Sequence, residues 1–210
     1  IKTLIHLGDV VDRRKFINHN TAHNFKKVFW NKLEDYNIDT HILIGNHDTY
    51  FKNTNDVNAL QNLNISKGAK IYTRPVDVNF DGLDILFLPW ICDDNHSDSI
   101  YAIDNSTSVI AMGHLEIKGF EMHKGHFNEQ GLEKSQFTKF EKVISGHFHK
   151  KSDDGRIYYL GTQYEITWSD YKCPKGFHIF DTDTRELERV PNPIRMYKKL
   201  YYNDKETDYS

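Results

Sequence analysis

Four short polar clusters each follow a run of apolar residues, and each contains side chains that can bind metal ions. In chain order they read Gly8-Asp9-Val10-Val11-Asp12, Gly45-Asn46-His47-Asp48, Gly113-His114 and Gly146-His147-Phe148-His149. Carboxylate oxygens, amide oxygens and imidazole nitrogens suit hard-to-borderline divalent cations. The pattern predicts two divalent cations held at the carboxyl ends of strands, a type of site that hydrolyses phosphate esters.

The residue types suggest a ligand set for such a site. Asp9 is the natural bridge between the cations, because a single carboxylate can bind both. Asn46 would supply an amide oxygen, and neutral imidazoles would come from His114, His147 and His149. A mostly neutral ligand set leaves the site positively charged, which attracts an anionic phosphate.

Two residues beside Asn46 are candidates for proton transfer rather than for metal binding. A free His47 imidazole next to the cations could protonate the leaving oxygen or stabilise charge on the phosphorane. Asp48 is expected to orient that imidazole and to raise its basicity, as carboxylates behind a site histidine do. His47 and Asp48 are therefore the predicted catalytic residues.

The four motifs differ in specificity. An aspartate such as Asp9 often follows a strand for capping alone, and a lone Gly113-His114 pair is more often a simple turn. The group Asn46-His47-Asp48 at a strand end is harder to explain by packing. The order of all four motifs, rather than any one of them, indicates the metal site.

Composition limits the class of protein. A chain of 210 residues, 38% of them hydrophobic, can form one compact domain with a core. The net charge of −3 argues against holding DNA by overall basicity. Two cysteines without a CxxC spacing predict a reducing compartment. The longest apolar stretch, at 85–92, is too short to span a bilayer, so no membrane partner is expected.

The clusters need a scaffold of buried strands, and the apolar runs predict one. A helix is expected at 21–36, with Ala22, Phe25, Phe29, Leu33 and Tyr36 on its buried face. Strands are expected at 3–7, 41–44, 76–80, 85–88, 108–112, 142–144, 157–160 and 177–181. The succession of strand, helix and strand is typical of a parallel α/β unit.

The motifs resemble those of the calcineurin-like metallophosphoesterase superfamily. Within it the chain is similar to DNA-repair nucleases of the SbcD type, above all to the nuclease subunits of phage recombination endonucleases. The closer similarity lies outside the ligand positions, in LPWIC at 88–92, GHLEIKGF at 113–120, YLGT at 159–162 and KGFHIFDT at 175–182. The resemblance implies an α/β fold of four layers, in which two packed mixed β-sheets are flanked by helices.

The resemblance also implies roles and partners. Asp9 would be the ligand shared by the two metal ions. One metal site would be completed by Asn46, His114 and His147, and the other would include His149. His47 would be the catalytic histidine. The cations would be manganese, with magnesium as an alternative. The substrate would be DNA, cut at ends or in single strands during recombination and repair, with an SbcC-type ATPase as partner. The expected location is the cytoplasm, that of a host cell if a phage encodes the chain, and a homodimer is left open.

Two departures from the family pattern shape the expected domain organisation. No Asp-x-His motif precedes Asp9, so the core at 1–200 is expected to be incomplete at its amino terminus, with a polar tail at 201–210. As given, the first metal would keep only Asp9 and His149, too few ligands for firm binding. One well-formed and one incomplete metal site are therefore expected.

Two rival functions remain open on the sequence. The first is a phosphoprotein phosphatase or small-molecule phosphodiesterase of the same fold, because residues 8–13 resemble the phosphatase motif GDxVDRG. Against it, Arg14 replaces the final glycine, and Asp48 stands where those phosphatases carry glutamate. The second is a non-catalytic interaction scaffold, which would have no need of a general acid such as His47.

Overall fold

Two β-sheets pack face to face, and the strand ends that precede the polar clusters lie at one shared edge. The computed structural model describes residues 2–63, 68–123 and 125–201. Of the tail expected at 201–210, all but Tyr201 lies outside these residues. The strands, in chain order, are β1 (Thr3–His6), β2 (Asp39–Leu43), β3 (Ala69–Tyr72), β4 (Val76–Phe80), β5 (Leu83–Leu88), β6 (Ile110–Gly113), β7 (Glu121–His123), β8 (His126–Phe127), β9 (Lys142–Ser145), β10 (Ser152–Asp153), β11 (Ile157–Tyr159), β12 (Gly176–Phe180) and β13 (Leu187–Pro191).

The first sheet has the strand order β1-β2-β3, and its strands are all parallel. The second has the order β10-β11-β9-β6-β5-β4, with a parallel centre and an antiparallel strand at each edge. The pairs β7-β8 and β12-β13 form two small antiparallel sheets. The helices are α1 (His19–Phe25), α2 (Asn31–Asp35), α3 (Ala59–Asn62) and α4 (His96–Asn105), with a π-helical segment at Lys26–Trp30 and 3-10 turns at Lys134–Phe137 and Trp168–Asp170.

Strand β5 shows why its sequence is a continuous apolar run. Ile85 and Phe87 point into the core between the two sheets, and Leu86 and Leu88 point into the core on the outer side. Parallel strands that are buried on both faces have this composition. The layers are thus helices, sheet, sheet and a further covering layer that includes α4. This confirms the predicted metallophosphoesterase fold, with the difference that the three-stranded sheet is parallel throughout rather than mixed.

The helix expected at 21–36 forms as the continuous series of α1, the π-helical segment and α2, but its buried face differs from the expected one. Phe29 is 37% exposed and Tyr36 is 75% exposed, whereas Trp30 is only 3% exposed. A π-helical turn inserts one residue into the helical repeat. The apolar face therefore steps five residues, from Phe25 to Trp30, where a regular helix would have stepped four.

A buried carboxylate holds the carboxyl-terminal segment against the rest of the chain. Glu165 accepts hydrogen bonds from the backbone amides of Lys172 (3.1 Å), Met196 (2.8 Å) and Tyr197 (3.1 Å). The guanidinium of Arg195 lies 3.4 Å away. One side chain thus joins the segment at Lys172 to the consecutive residues Arg195, Met196 and Tyr197.

Glu165→Gln is expected to lower the melting temperature by a few degrees at neutral pH and to flatten its acid dependence. Burial raises the pKa of Glu165, but hydrogen bonds from the Tyr197 and Met196 amides outweigh it and hold the pKa below its ordinary value. The carboxylate therefore stabilises the fold above its unfolded pKa, and this contribution is lost as pH falls through the lower folded pKa. Thermal melts from pH 7 to pH 3, with the exposed Glu129→Gln as control, test this. Parallel curves for wild type and Glu165→Gln would contradict it.

Candidate metal centre

The carboxyl ends of four parallel strands meet at the shared edge of the two sheets. Asp9 follows β1 and Asn46 follows β2 in the three-stranded sheet. His114 follows β6 and His147 follows β9 in the six-stranded sheet. Each sheet thus contributes two of the predicted ligands, and they converge although the chain separates them widely.

The four side chains lie at distances that suit one cation. Asn46 Oδ1 is 2.9 Å from His114 Nε2 and 3.1 Å from His147 Nδ1, and the two ring nitrogens are 3.2 Å apart. Asp9 Oδ2 is 3.3 Å from His114 Nε2. Ligand atoms bound to a cation at about 2.1 Å and at right angles to one another lie about 3 Å apart. The donor set therefore fits a divalent metal ion.

The tautomer of His114 also suits a metal ligand. Its Nδ1 lies 2.7 Å from the Leu7 carbonyl oxygen, which can only accept, so Nδ1 carries the proton. When Nε2 is unprotonated, its lone pair faces Asp9 and Asn46, as in many histidine ligands whose other nitrogen is held by a carbonyl. In the protonated ring the Nε2–H group faces the same two oxygens. Burial lowers the pKa of His114, but the Asp9 carboxylate outweighs it and raises that pKa. The negative potential that favours a proton here favours a cation as well.

Asp9 and His147 complement this arrangement. Burial raises the pKa of Asp9, but its hydrogen bond and charge interaction with His114 outweigh burial and bring that pKa to about 2. Burial, and then the charge of His114, lower the pKa of His147 to about 3. At neutral pH the site thus offers a carboxylate and an uncharged imidazole, the forms that bind metal ions.

An indole ring forms an apolar wall beside the imidazoles. The ring of Trp90 lies 5.3 Å from that of His147 and 6.1 Å from that of His114, measured between centroids. Its backbone amide donates to the Ile44 carbonyl, 2.7 Å away, which ties the two sheets together. Sequence reasoning did not assign Trp90 to the site. The available indication was its position two residues after β5, within the segment that resembles the family.

Two of the predicted ligands have strained backbone conformations. Asp9 has a φ of 55° and His147 a φ of 75°, in the left-handed region. Such a conformation costs a non-glycine residue about 1–3 kcal/mol and tends to occur at functional sites. Hydrogen bonds offset the cost at Asp9: its amide donates to Asp48 Oδ2 (2.8 Å), and its Oδ1 accepts from the His47 amide (2.7 Å).

The glycines before the ligands have two different physical causes. Gly8 has a φ of +92°, which a residue without Cβ adopts freely. The other three are needed because strand ends approach closely. A Cβ on Gly45 would lie 2.2 Å from the Asp9 amide nitrogen, and Cβ atoms on Gly113 and Gly146 would each lie 2.6 Å from a carbonyl oxygen. At these three positions the close approach of neighbouring atoms, rather than backbone freedom, requires glycine.

The structure corrects the role expected of Asp48. This fully buried carboxylate accepts hydrogen bonds from the backbone amides of Asp9 (2.8 Å), Gly45 (2.9 Å) and Val11 (3.1 Å). The imidazole of His47 is held instead through Nδ1, which lies 2.7 Å from the Asp12 carbonyl oxygen. Asp48 thus fixes the backbone turn that presents Asp9 and does not orient His47. Burial raises its pKa to about 6, an effect that the Gly45 amide opposes.

Asp48→Asn is expected to destabilise the protein by about 1–3 kcal/mol. The amide can keep one oxygen in place, but its NH₂ group must then face a backbone N–H that the carboxylate satisfied. Urea denaturation measures the loss. The exposed Asp35→Asn, which breaks only a surface pair with Lys32 at 3.7 Å, should change stability by less than about 1 kcal/mol. Equal effects of the two substitutions would contradict the assigned role.

His149 lies apart from the four clustered side chains. Its Nδ1 is 4.0 Å from Asp170 Oδ2, and a three-residue metal-binding group forms from Asp9, His114 and His147 without it. It does line the same cavity of about 560 Å³ as Asp9 and His47. The backbone of His149 is fixed by Lys175, whose buried ammonium donates to its carbonyl (2.8 Å).

Among the described residues, no helix combines the length and the apolar character needed to cross a bilayer.

Comparisons with known proteins show which family and which relatives the chain is similar to. A family model described as calcineurin-like phosphoesterase matches residues 1–151. The chain is 36% identical over 204 residues to exonuclease subunit 1 of Enterobacteria phage T4. The matched region covers 96% of this chain and 59% of the relative's length. A solved structure of an archaeal phosphodiesterase aligns with a TM-score of 0.42 and 15% identity, over 91% of this chain and 84% of the other.

Proposed function

The chain belongs to the calcineurin-like phosphoesterase family, and on that premise we propose that it is a metal-dependent nuclease that hydrolyses phosphodiester bonds in DNA. The observation that carries the proposal is the convergence of Asp9, Asn46, His114 and His147 within bonding distance of one cation. Members of this family use divalent metal ions. The similarity to a phage protein named exonuclease subunit 1 supports a nuclease rather than a phosphatase.

The finer parts of the proposal concern substrate and partner. We propose DNA ends or single strands as the substrate, and recombination and repair as the setting. The word subunit in the name of the phage relative supports a second chain, for which an SbcC-type ATPase is our candidate. Action would be in the cytoplasm, that of a host cell if a phage encodes the chain. A homodimer stays an open alternative, and residues 1–200 would form one nuclease core.

We propose Mn²⁺ as the bound ion, with Mg²⁺ as the alternative. Asp9, Asn46, His114 and His147 would hold one cation, and Asp9 and His149 would contribute to a second. Bound cations of this kind neutralise negative charge on the phosphate and stabilise the transition state. Other groups of the chain hold the ligands in place: Asp48 fixes the turn that presents Asp9, and the Leu7 carbonyl fixes the His114 ring so that Nε2 faces Asp9 and Asn46.

His47 would supply the proton for the leaving oxygen. The Nδ1–H group of His47 donates to the Asp12 carbonyl, so a proton transferred to the leaving oxygen would come from Nε2. His47 lines the cavity that also contains Asp9 and His147. A residue so placed can reach a phosphate bound at the cluster while remaining outside the ligand set.

The test compares substrates under one set of conditions. The protein is incubated with Mn²⁺ and end-labelled linear DNA, single-stranded or double-stranded, and separately with p-nitrophenyl phosphate. We expect Mn²⁺-dependent shortening of the DNA, abolished by chelation, with much slower release of p-nitrophenol. Preferential hydrolysis of the monoester would favour the phosphatase alternative, and no hydrolysis of any phosphoester by the full-length protein would favour the scaffold.

A further inference from the structure

Three aromatic rings lie beside the cavity, two on the segment between β11 and β12 and one on the segment after β13. We call Trp168, Tyr171 and Tyr197 the aromatic rim. The Trp168 ring is 4.6 Å from that of Tyr197 and 6.2 Å from that of Tyr171, measured between centroids. Trp168 is nevertheless 58% exposed, and nearby Tyr164 is 50% exposed. An indole held from one side and open on the other presents a flat apolar face to solvent.

The aromatic rim is rigidly connected to the metal centre. Thr167 and Ser169, on either side of Trp168, line the same cavity as three of the predicted ligands, Asp9, His147 and His149. Asp170 accepts hydrogen bonds from the Ile166 and Thr167 amides (both 3.0 Å) and forms a buried ion pair with Lys175 (2.7 Å). The same Lys175 ammonium donates to the carbonyl of His149, a predicted ligand. The position of Trp168 relative to the site is therefore fixed.

Two lysine ammonium groups lie near the rings of the aromatic rim. The ammonium of Lys199 lies 4.8 Å from the centre of the Tyr171 ring, and that of Lys172 lies 5.5 Å from it. Both lysines are exposed, and neither forms an ion pair with a carboxylate in the part of the chain that the structure describes. Lysine is depleted in protein–protein interfaces. Aromatic faces interleaved with free cations are instead typical of surfaces that bind single-stranded nucleic acid.

We propose that the aromatic rim binds unpaired bases of single-stranded nucleic acid, with a base stacked on Trp168 and the adjacent phosphates near Lys172 and Lys199. Bases inside a duplex are already stacked on one another, so only a single strand or a frayed end can use this surface. The proposal rests on the proposed nuclease function for its substrate class. It makes Trp168 a residue that selects unpaired ends and leads them to the metal centre.

The experiment measures binding without cleavage. Fluorescence anisotropy of labelled oligothymidylate is followed in chelator with wild type, Trp168→Ala, Trp168→Leu and Trp168→Phe, and with a matched abasic oligonucleotide. We expect about a ten-fold loss of affinity for oligothymidylate in the alanine and leucine variants. Phenylalanine should restore most of it because it keeps a π-face. On the abasic strand the same variants should change affinity less than about two-fold. Tyr101→Leu, at a 70% exposed ring on α4, is the matched control and should bind like wild type.

Three results would overturn the proposal: unchanged affinity in Trp168→Ala, an equal loss on the abasic strand, or a loss in Trp168→Phe as large as that in Trp168→Leu. The first would leave a protein partner as the occupant of the rim. Failure of the nuclease proposal is separable, because it appears as absent Mn²⁺-dependent cleavage by a wild-type protein that still binds oligothymidylate through Trp168.

Discussion

Asp9→Asn is expected to lose at least about 10³-fold of the Mn²⁺-dependent phosphodiester hydrolysis while the protein stays folded. The Asp9 carboxylate is the anionic ligand of the cluster. Metal ions lower the activation free energy by several kcal/mol in such sites, and each factor of ten in rate corresponds to about 1.4 kcal/mol. Asparagine has the same shape, still accepts the hydrogen bond from the His47 amide, and tolerates a φ of 55° better than most residues do. The loss should therefore come from metal binding and not from the fold.

A matched control exists at another left-handed aspartate. Asp81 has a φ of 51° in the exposed hairpin turn between β4 and β5, far along the sheet from the cluster. Asp81→Asn makes the same chemical change in the same backbone conformation and should keep wild-type activity. Titration with Mn²⁺, followed by calorimetry, should show weakened binding only in Asp9→Asn. If Asp9→Asn kept its activity and Mn²⁺ affinity, the assigned metal centre would be wrong.

His47→Ala is expected to lower the rate of DNA cleavage by about 10²–10⁴-fold, the usual contribution of a positioned general acid. Mn²⁺ affinity should change little, because the imidazole hydrogen bonds to the Asp12 carbonyl and stands outside the ligand cluster. Rate measurements at saturating Mn²⁺ separate this effect from that of Asp9→Asn. His23→Ala, at an exposed histidine on α1, serves as the control and should cleave at the wild-type rate.

The leaving group decides between proton transfer and positioning for His47. A thymidine ester of p-nitrophenyl phosphate releases a phenolate that leaves without being protonated. The penalty for His47→Ala should therefore shrink markedly on this substrate relative to DNA. An undiminished penalty would argue against a general acid and for a role in binding the phosphate.

The strands could be predicted because each one is a short run of apolar residues in the sequence. The apolar runs before Gly8, Gly45, Gly113 and Gly146 each form a strand within two residues of the expected bounds. Parallel strands place their carboxyl ends together, so the order of the motifs already indicated convergence. By contrast, α4 was not predicted, since Ser99 and Ile103 are its only buried residues among those described.

The second layer of the site could not be read from the sequence. Asp48 contacts the amides of Asp9 and Val11, 39 and 37 residues away, and His114 is held by the carbonyl of Leu7, 107 residues away. Backbone groups are present at every residue and leave no compositional signal. The expected contact between Asp48 and His47 relied on adjacency in sequence, whereas the turn after Asn46 directs the two side chains to different partners.

The ligands come in pairs from two different sheets, and this has a thermodynamic consequence. An ion shared by Asp9 and Asn46 on one side and by His114 and His147 on the other would act as a cross-link between two sheets that otherwise associate through apolar contacts and a few hydrogen bonds. Ligand occupancy adds about 2.7 kcal/mol to folding stability when the free ion exceeds its dissociation constant a hundred-fold. Removal of the metal ion would therefore lower the folding stability of the protein as well as its catalytic rate.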